Sequence, residues 1–323
     1  MSKINWEEII SEFIKLNILV VGDAMIDSYI WGDIERNSPE APIPIVNANK
    51  YEKKLGGAAN VALNIKSLGA NPTLISVIGN KDNGFLDLMK SFGLSVQGII
   101  QEDRITTTKT RVISNNKHQL RIDEENTNDI VSEHKLIELV FNSLAETDIV
   151  LFQDYNKGVL TKKVIREIID KCNELNIPTL VDPKIKNYWE YKNVSLFKPN
   201  LKELNNNAES EILATDLKRI SLEVKKQRLK LNAKEIIVTL SENGIFFQNE
   251  KIEFHLPVYV KDIVDVSGAG DCVIAILALV YQSKLSKQQL ISLANLCGGL
   301  ACEKVGVANL EKEKIIEQAN RLI

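Results

Sequence analysis

Asp265-Val266-Ser267-Gly268-Ala269-Gly270-Asp271 holds the residues of this chain best suited, by type and spacing, to do chemistry. A strand-like stretch, Phe254 to Val264, runs into the segment, and an apolar stretch with helical character, Cys272 to Tyr281, runs out of it. Glycines at a strand-to-helix junction have no Cβ, so an anion can come close to the backbone N–H groups there. The N–H groups of Gly268, Ala269 and Gly270 can then cradle developing negative charge. Asp271, at the start of the helix, can take a proton from whatever the cradle holds. Those are the needs of phosphoryl transfer to a hydroxyl. A plain glycine turn with Asp271 as helix cap has the same local sequence, so other residues must decide between the two.

Polar residues gather after other strand-like runs. Asp23 and Asp27 follow the first one, and carboxylates there suit a polyol, whose hydroxyls they accept; solvated loop acids would look the same. Gly56-Gly57-Ala58-Ala59-Asn60 opens a helix: Gly56 and Gly57 allow close approach, and Asn60 offers donor and acceptor to sugar hydroxyls. The segment lacks the spacing of a Walker A loop, and no Gly-Lys-Ser/Thr occurs in the chain. Asp154-Tyr155-Asn156-Lys157-Gly158 and Asp182-Pro183-Lys184 place Lys157 and Lys184 at strand ends. Asn200 and Glu203, spaced i and i+3, can hold waters around Mg²⁺ or form a capping box. Thr239, Ser241 and Gly244 end another strand in a small polar turn suited to a nucleotide. Lys109 and Arg111 alternate on a strand and point to one face.

The elements that must position these residues are short apolar strands alternating with helical patterns. Strands are expected at Ile18 to Val21, Pro72 to Ile78, Ile149 to Phe152, Pro178 to Val181, Ser195 to Lys198 and Glu235 to Leu240. Helices are expected at Ala58 to Leu68, Asn83 to Phe92, Glu133 to Leu144, Thr161 to Leu175 and Ala214 to Leu231. Continuous Val/Ile/Leu strands between amphipathic helices mean a mostly parallel sheet covered on both faces, with ligands at the carboxyl ends of its strands. Residues 29–55 and 97–123 break the rhythm. They alternate polar and apolar, and Asn115-Asn116 is a hairpin signal, so they read as a small β-sheet standing off the main domain, a lid or a dimer interface.

Composition narrows the classes. With 323 residues, 44% apolar and 26% charged, the chain suits a soluble α/β protein, and a net charge of -3 argues against nucleic acid as partner. Cys172, Cys272, Cys297 and Cys302 have no metal-ligand spacing and read as buried thiols of a reducing compartment. The three histidines are scattered, against a zinc site or a Ser-His-Asp triad. Trp6, Ile9, Ile10, Phe13 and Ile14 fall at helical spacing, as a short lead-in helix without signal-peptide character. The longest apolar run is about half of the roughly 20 residues a membrane span needs. A cytoplasmic protein without membrane partner is expected.

The two glycine segments in this order, with Asn200-x-x-Glu203 between them, resemble the signatures of the ribokinase-like (PfkB) carbohydrate kinases over nearly the whole chain. Within that family the chain is most similar to the D-glycero-β-D-manno-heptose 7-phosphate kinases. The similarity lies in residues 20–27, 36–44, 57–65, 108–111, 154–158 and 182–184, above all in Ser38-Pro39-Glu40-Ala41-Pro42. Ser267 stands where Thr is commoner, and Cys272 where Thr or Ser is; neither touches Asp271.

The resemblance implies a single kinase domain over 1–323, a three-layer α/β/α sandwich with a β-sheet lid from about 29–55 and 97–123. It implies ATP and Mg²⁺, with K⁺ as an extension, and phosphorylation of the anomeric hydroxyl of the heptose 7-phosphate to the 1,7-bisphosphate, toward ADP-heptose and the lipopolysaccharide core. Asp271 would be the base, and Gly268, Ala269 and Gly270 the anion cradle. Asp27, Gly56, Gly57 and Asn60 would meet the sugar, and Lys109, Arg111 and Lys157 its phosphate. Lys184, Asn200, Thr239, Ser241 and Gly244, with Gly268 and Gly270, would meet the nucleotide. Asn200 and Glu203 would organise Mg²⁺ through water, and Asp265 a monovalent cation. A homodimer through the lid is expected. So is a stand-alone kinase, since no His-x-Gly-His signature of a nucleotidyltransferase follows. Two competing readings stand: another PfkB-type kinase of the fructokinase or phosphofructokinase kind, and a non-catalytic sugar or nucleotide binder. The intact Asp271 segment argues against the second.

Overall fold

The computed structural model describes residues 4–81, 84–115, 117–259, 263–303, 306 and 310–323. In chain order the first strands are β1 (Asn17–Gly22), β2 (Ala24–Asn37), β3 (Pro44–Gly57), β4 (Asn71–Gly79), β5 (Ile99–Glu102), β6 (Thr108–Ser114) and β7 (Lys117–Glu124). They continue with β8 (Ile149–Gln153), β9 (Thr179–Asp182), β10 (Leu196–Phe197), β11 (Glu235–Thr239), β12 (Ile245–Asn249) and β13 (Glu253–Leu256).

Nine strands form the central sheet in the order β13-β12-β11-β10-β9-β8-β1-β4-β5. All pair in parallel except β12 and β13, which close one edge as an antiparallel hairpin. Period-two alternation sends the side chains of each strand to two separate cores. Ile18 and Val20 of β1 join the core beneath helices Ala58–Ser67, Ala269–Val280 and Lys287–Ala301; Leu19 and Val21 join the one beneath Glu133–Ser143, Lys162–Leu175 and Leu217–Leu231. This is the three-layer α/β/α arrangement expected of continuous apolar strands.

Helix limits follow their caps. Asp216 accepts the N–H of Arg219 at 3.1 Å, so that helix opens at Leu217 rather than Ala214. Asn176 ends the helix Lys162–Leu175 in the left-handed region, at φ 58. Asn83, the expected start of another helix, lies outside the described residues; that helix spans Phe85–Ser91.

The second sheet has the order β3-β2-β6-β7. β2 leaves β1 after one residue, and β3 runs directly into the helix Ala58–Ser67, so both ends of the pair are rooted at the carboxyl edge of the central sheet. β6 and β7 form the expected hairpin; Asn116 lies outside the described residues.

Two expectations need correction. The stretch from Phe254 does not stay extended to Val264: β13 stops at Leu256, before Pro257, which has no N–H to give a ladder; residues 260–262 lie outside the described residues. Ile99–Glu102, expected in the small sheet, instead pairs with β4 at the edge of the central one. All four cysteines are free and buried. Among the described residues, no helix is long and apolar enough to cross a membrane.

Candidate active site

The chain runs from β1 outward to β4 and β5 on one side, and from β8 through β9, β10 and β11 on the other. That reversal beside β1 opens a crevice at the carboxyl ends, the usual ligand site of such sheets. Asp23, Gln153, Tyr155, Asp182, Lys198 and Thr239 all lie at or just beyond these strand ends.

The Asp265–Asp271 segment is held from behind. The N–H groups of Val264 and Asp265 donate to the carbonyl of Cys302. Asp265 accepts the N–H of Ser267 at 2.9 Å and that of Gly306 at 2.7 Å, and His118 Nε2 lies 3.4 Å away. Burial pushes Asp265 up, but these hydrogen bonds outweigh it and hold the carboxyl below its usual range. Gly268, at φ 80, starts the helix Ala269–Val280 from the left-handed region that glycine tolerates. From Asp271 to Val280 every residue of that helix is buried. It lies close against the helix Lys287–Ala301, where a Cβ on Gly298 would sit 2.7 Å from Val273 Cγ2. The first N–H groups of a helix have no intrahelical acceptor and lie at its positive end. Of these, Ala269 N–H turns to the carbonyl of Val266 at 3.2 Å, which leaves the glycines as the better-placed part of the expected cradle.

Asp271 is 4% exposed. Asn60 Nδ2 donates to its Oδ2 at 2.7 Å; Gln153 Nε2 and the Tyr155 hydroxyl donate to its Oδ1 at 3.0 and 2.7 Å. Burial pushes the Asp271 carboxyl up to about 6 against the pull of the Asn60 and Tyr155 hydrogen bonds, with Asp182 and Asp27 adding to the rise. Asn60 therefore directs its amide to Asp271, and its Oδ1 accepts from Asn64 at 3.3 Å.

Asp27, on β2, is buried and forms an ion pair with Arg111 of β6. Arg111 also stands over the ring of Tyr29, 5.5 Å from its centroid. Gly56, opposite Met25 in the β2–β3 ladder, leaves the room that the Asp27 carboxylate fills. Gly57, at φ 57, would carry a Cβ 2.3 Å from the carbonyl of Asp23. Asp23 is engaged by backbone instead: it accepts the N–H groups of Tyr155, Lys157 and Val159 at 2.7, 3.0 and 3.0 Å and fastens the loop after β8.

Four lysines join Arg111 around this centre. Lys109 Nζ lies 5.3 Å and Lys184 Nζ 5.5 Å from the centroid of the Tyr155 ring. Burial lowers the pKa of Lys109, and Lys157 adds to the effect. For Lys184 burial pulls the same way, but Asp182 and Glu203 outweigh it and raise the ammonium. Lys157 pairs with Glu125 at 2.7 Å, and Lys198, 2% exposed, with Asp182 at 3.0 Å.

A cavity of about 430 Å³ joins the nucleotide candidates: Lys184, Asn200, Thr239, Ser241 and Gly244 line it with Gly268, Ala269, Gly270 and Asp271. Its apolar wall is Ile245, Val258, Ile263, Val266, Val273 and Cys302. Gly244 is glycine for the turn into β12, since a Cβ there would meet the Leu256 carbonyl at 2.0 Å. Asn200 and Glu203 form the capping box: Glu203 N–H donates to Asn200 Oδ1 at 2.8 Å, Asn200 N–H to Glu203 Oε2 at 2.9 Å. The other Glu203 oxygen pairs with Lys184. Gln153, Asp182 and Lys198 were given no role by sequence. Their one signal in the sequence is position at a strand end.

The arrangement sets a buried carboxylate between a cavity with an anion-receptive helix start and a polar centre ringed by cations, as transfer of an anionic group to a hydroxyl requires. Residues 15–314 match the pfkB family of carbohydrate kinases. The bifunctional protein HldE of Campylobacter curvus is 39% identical over 307 residues, 94% of this chain; that of Campylobacter jejuni serotype O:2 is 38% identical over 93%. The chain spans about 65% of the length of the first of these and 64% of the second. Among solved structures, Escherichia coli phosphofructokinase-2 in complex with potassium superposes with a TM-score of 0.77 at 17% identity, covering 95% of this chain and 99% of that one. Arabidopsis thaliana ribokinase complexed with ribose and ATP does so with 0.74 at 17%, with the same coverage. The fold is thus ribokinase-like, and the chain belongs to the pfkB family of carbohydrate kinases.

Proposed function

We propose that this kinase transfers the terminal phosphoryl group of ATP to the anomeric hydroxyl of D-glycero-β-D-manno-heptose 7-phosphate, giving the 1,7-bisphosphate used toward ADP-heptose and the lipopolysaccharide core. The observation that carries the reaction is Asp271, a buried carboxylate held by three donors between the cavity and the Asp27–Arg111 pair. Support for the sugar comes from likeness to the HldE proteins and from the cations around Tyr155, which suit an acceptor with a phosphate of its own.

Asp271 takes the hydroxyl proton, and the N–H groups of Gly268 and Gly270 face the charge that develops on the phosphoryl oxygens. Asp27, with Gly56 and Gly57 beside it, orients the sugar, and Asn60 steadies Asp271 next to it. Lys109, Arg111 and Lys157 receive the sugar phosphate. Lys184 and Asn200 meet the nucleotide phosphates, and Thr239, Ser241 and Gly244 with the apolar wall its base and ribose.

Asn200, Glu203 and Asp182 supply oxygen donors only, the chemistry Mg²⁺ prefers. The capping box and Lys184 already engage Asn200 and Glu203, so their remaining lone pairs fit an ion that keeps its waters. When bound, the ion neutralises phosphate charge. Asp265, held ionised beside Ser267, is the proposed neighbour of a monovalent cation. A homodimer through the small sheet is supported by Leu120 and Ile122, 57% and 48% exposed on one face of β7.

ADP release with heptose 7-phosphate, fructose 6-phosphate and ribose tests the reading. Preference for the heptose by kcat/KM is expected; equal or better turnover of fructose 6-phosphate would replace it with a phosphofructokinase-type activity.

A further inference from the structure

Tyr155 touches three parts of the site. Its hydroxyl donates to Asp271 Oδ1 at 2.7 Å. Its ring lies under Lys109 Nζ and Lys184 Nζ, 5.3 and 5.5 Å from the centroid. Its own N–H is tied to Asp23 Oδ2 at 2.7 Å. Lys109 stands on β6 of the small sheet, Lys184 just beyond β9 of the central one, and Asp271 on the helix over the crevice. One side chain therefore joins the base, the sugar side and the nucleotide side.

The two oxygens of Asp271 are not equivalent. Oδ1 accepts from both Gln153 Nε2 and the Tyr155 hydroxyl, which fills its two lone-pair directions. Among the described residues, Oδ2 accepts from Asn60 Nδ2 and keeps one direction open. Burial and the nearby Asp271 carboxylate push the Tyr155 phenol far up, so it stays a donor across the working pH range.

We infer that Tyr155 is a positioning residue: it fills Asp271 Oδ1 so that Oδ2 receives the proton of the acceptor hydroxyl, and its ring seats Lys109 and Lys184 on the two substrate sides. The inference rests on the reading of Asp271 as base. In the step, the hydroxyl proton passes to Oδ2 and the hydroxyl oxygen bonds to the terminal phosphorus. The bond from that phosphorus to the bridging oxygen breaks, and its electron pair leaves with ADP. The charged and titratable groups facing Asp271 are Asp27 from β2, Tyr155 after β8, Asp182 and Lys184 at the end of β9, and Cys272 on its own helix.

The test compares Tyr155→Phe, Tyr155→Leu and Asp271→Asn in the full chain, with heptose 7-phosphate and ATP. Tyr155→Phe keeps the ring and loses one hydrogen bond to a charged group. It should lower kcat roughly 10–100-fold, hold both KM values within about twofold, and move the acid limb of kcat/KM to higher pH, because the ionised carboxylate has lost a donor. Tyr155→Leu should in addition raise KM for both the sugar phosphate and ATP, since Lys109 and Lys184 lose their shared platform. A Tyr155→Phe enzyme with wild-type kcat and an unmoved acid limb, beside an inactive Asp271→Asn, overturns the inference alone. Near-normal turnover of Asp271→Asn overturns the base reading and this inference with it.

Discussion

Gly56 lacks a side chain where the Asp27 carboxylate needs the room: a Cβ at position 56 would lie 2.3 Å from Asp27 Oδ2. In sequence, the glycine pair reads as room for a ligand. In the fold, that room is first of all for a buried acid. Gly56→Ala should push Asp27 out of register with Arg111 and raise KM for the sugar phosphate, leaving KM for ATP within about twofold. Steady-state kinetics with each substrate varied in turn decides it, and unchanged sugar-phosphate kinetics would reject it.

Asp271→Asn should lower turnover by roughly 10²–10⁴ while nucleotide binding, measured by calorimetry, is largely kept. The loss should appear in kcat.

The pH profile should show the same group. Asp271 titrates near 6 rather than at the usual 3.8, and the ionised form is the base, so kcat/KM should fall about tenfold per unit below that pH. The stability sign is opposite. A carboxyl raised by burial favours the folded state below 3.8, and that contribution is lost as pH rises through about 6. Asp271→Asn removes the titration, so the Tm difference between variant and wild type should shift in the variant's favour between pH 4 and 7.

Arg111→Ala should weaken sugar-phosphate binding far more than ATP binding. It also leaves Asp27 buried without its ion-pair partner, 4% exposed, which costs stability on the order of 3–5 kcal/mol. Arg111→Lys, which keeps charge but not the planar fork, should recover most of the stability and part of the binding. Equal loss for both substrates in Arg111→Ala would argue against a sugar-side role.

Glu203→Gln separates two roles of one residue. Gln still serves a capping box, so the unfolding free energy should hold to within about 1 kcal/mol. The charge facing Lys184 is gone, and the Mg²⁺ concentration for half-maximal rate should rise. Unchanged Mg²⁺ dependence would assign Glu203 to helix capping alone.

The layered fold and the local parts of the site are legible in the residues themselves. Ile18 to Val21 and Ile149 to Phe152 read as buried strands, because short runs of β-branched and apolar residues satisfy both faces of a covered sheet. A strand end or a helix start can be recognised from its own neighbours, which is why Asp271, Asn200 and the glycines are legible. Partnerships across the fold are not. Asn60 and Asp271 are 211 positions apart and Asp27 and Arg111 are 84 apart, and no local pattern encodes such a meeting. Packing across the fold is what gives the Asn60 amide to Asp271 and ties Asp23 to the loop after β8. It also brought the Tyr155 hydroxyl to Asp271 and Lys109 and Lys184 to the Tyr155 ring. The physical reason is burial: once these carboxylates leave water, each must find donors among the groups the packed chain brings to it.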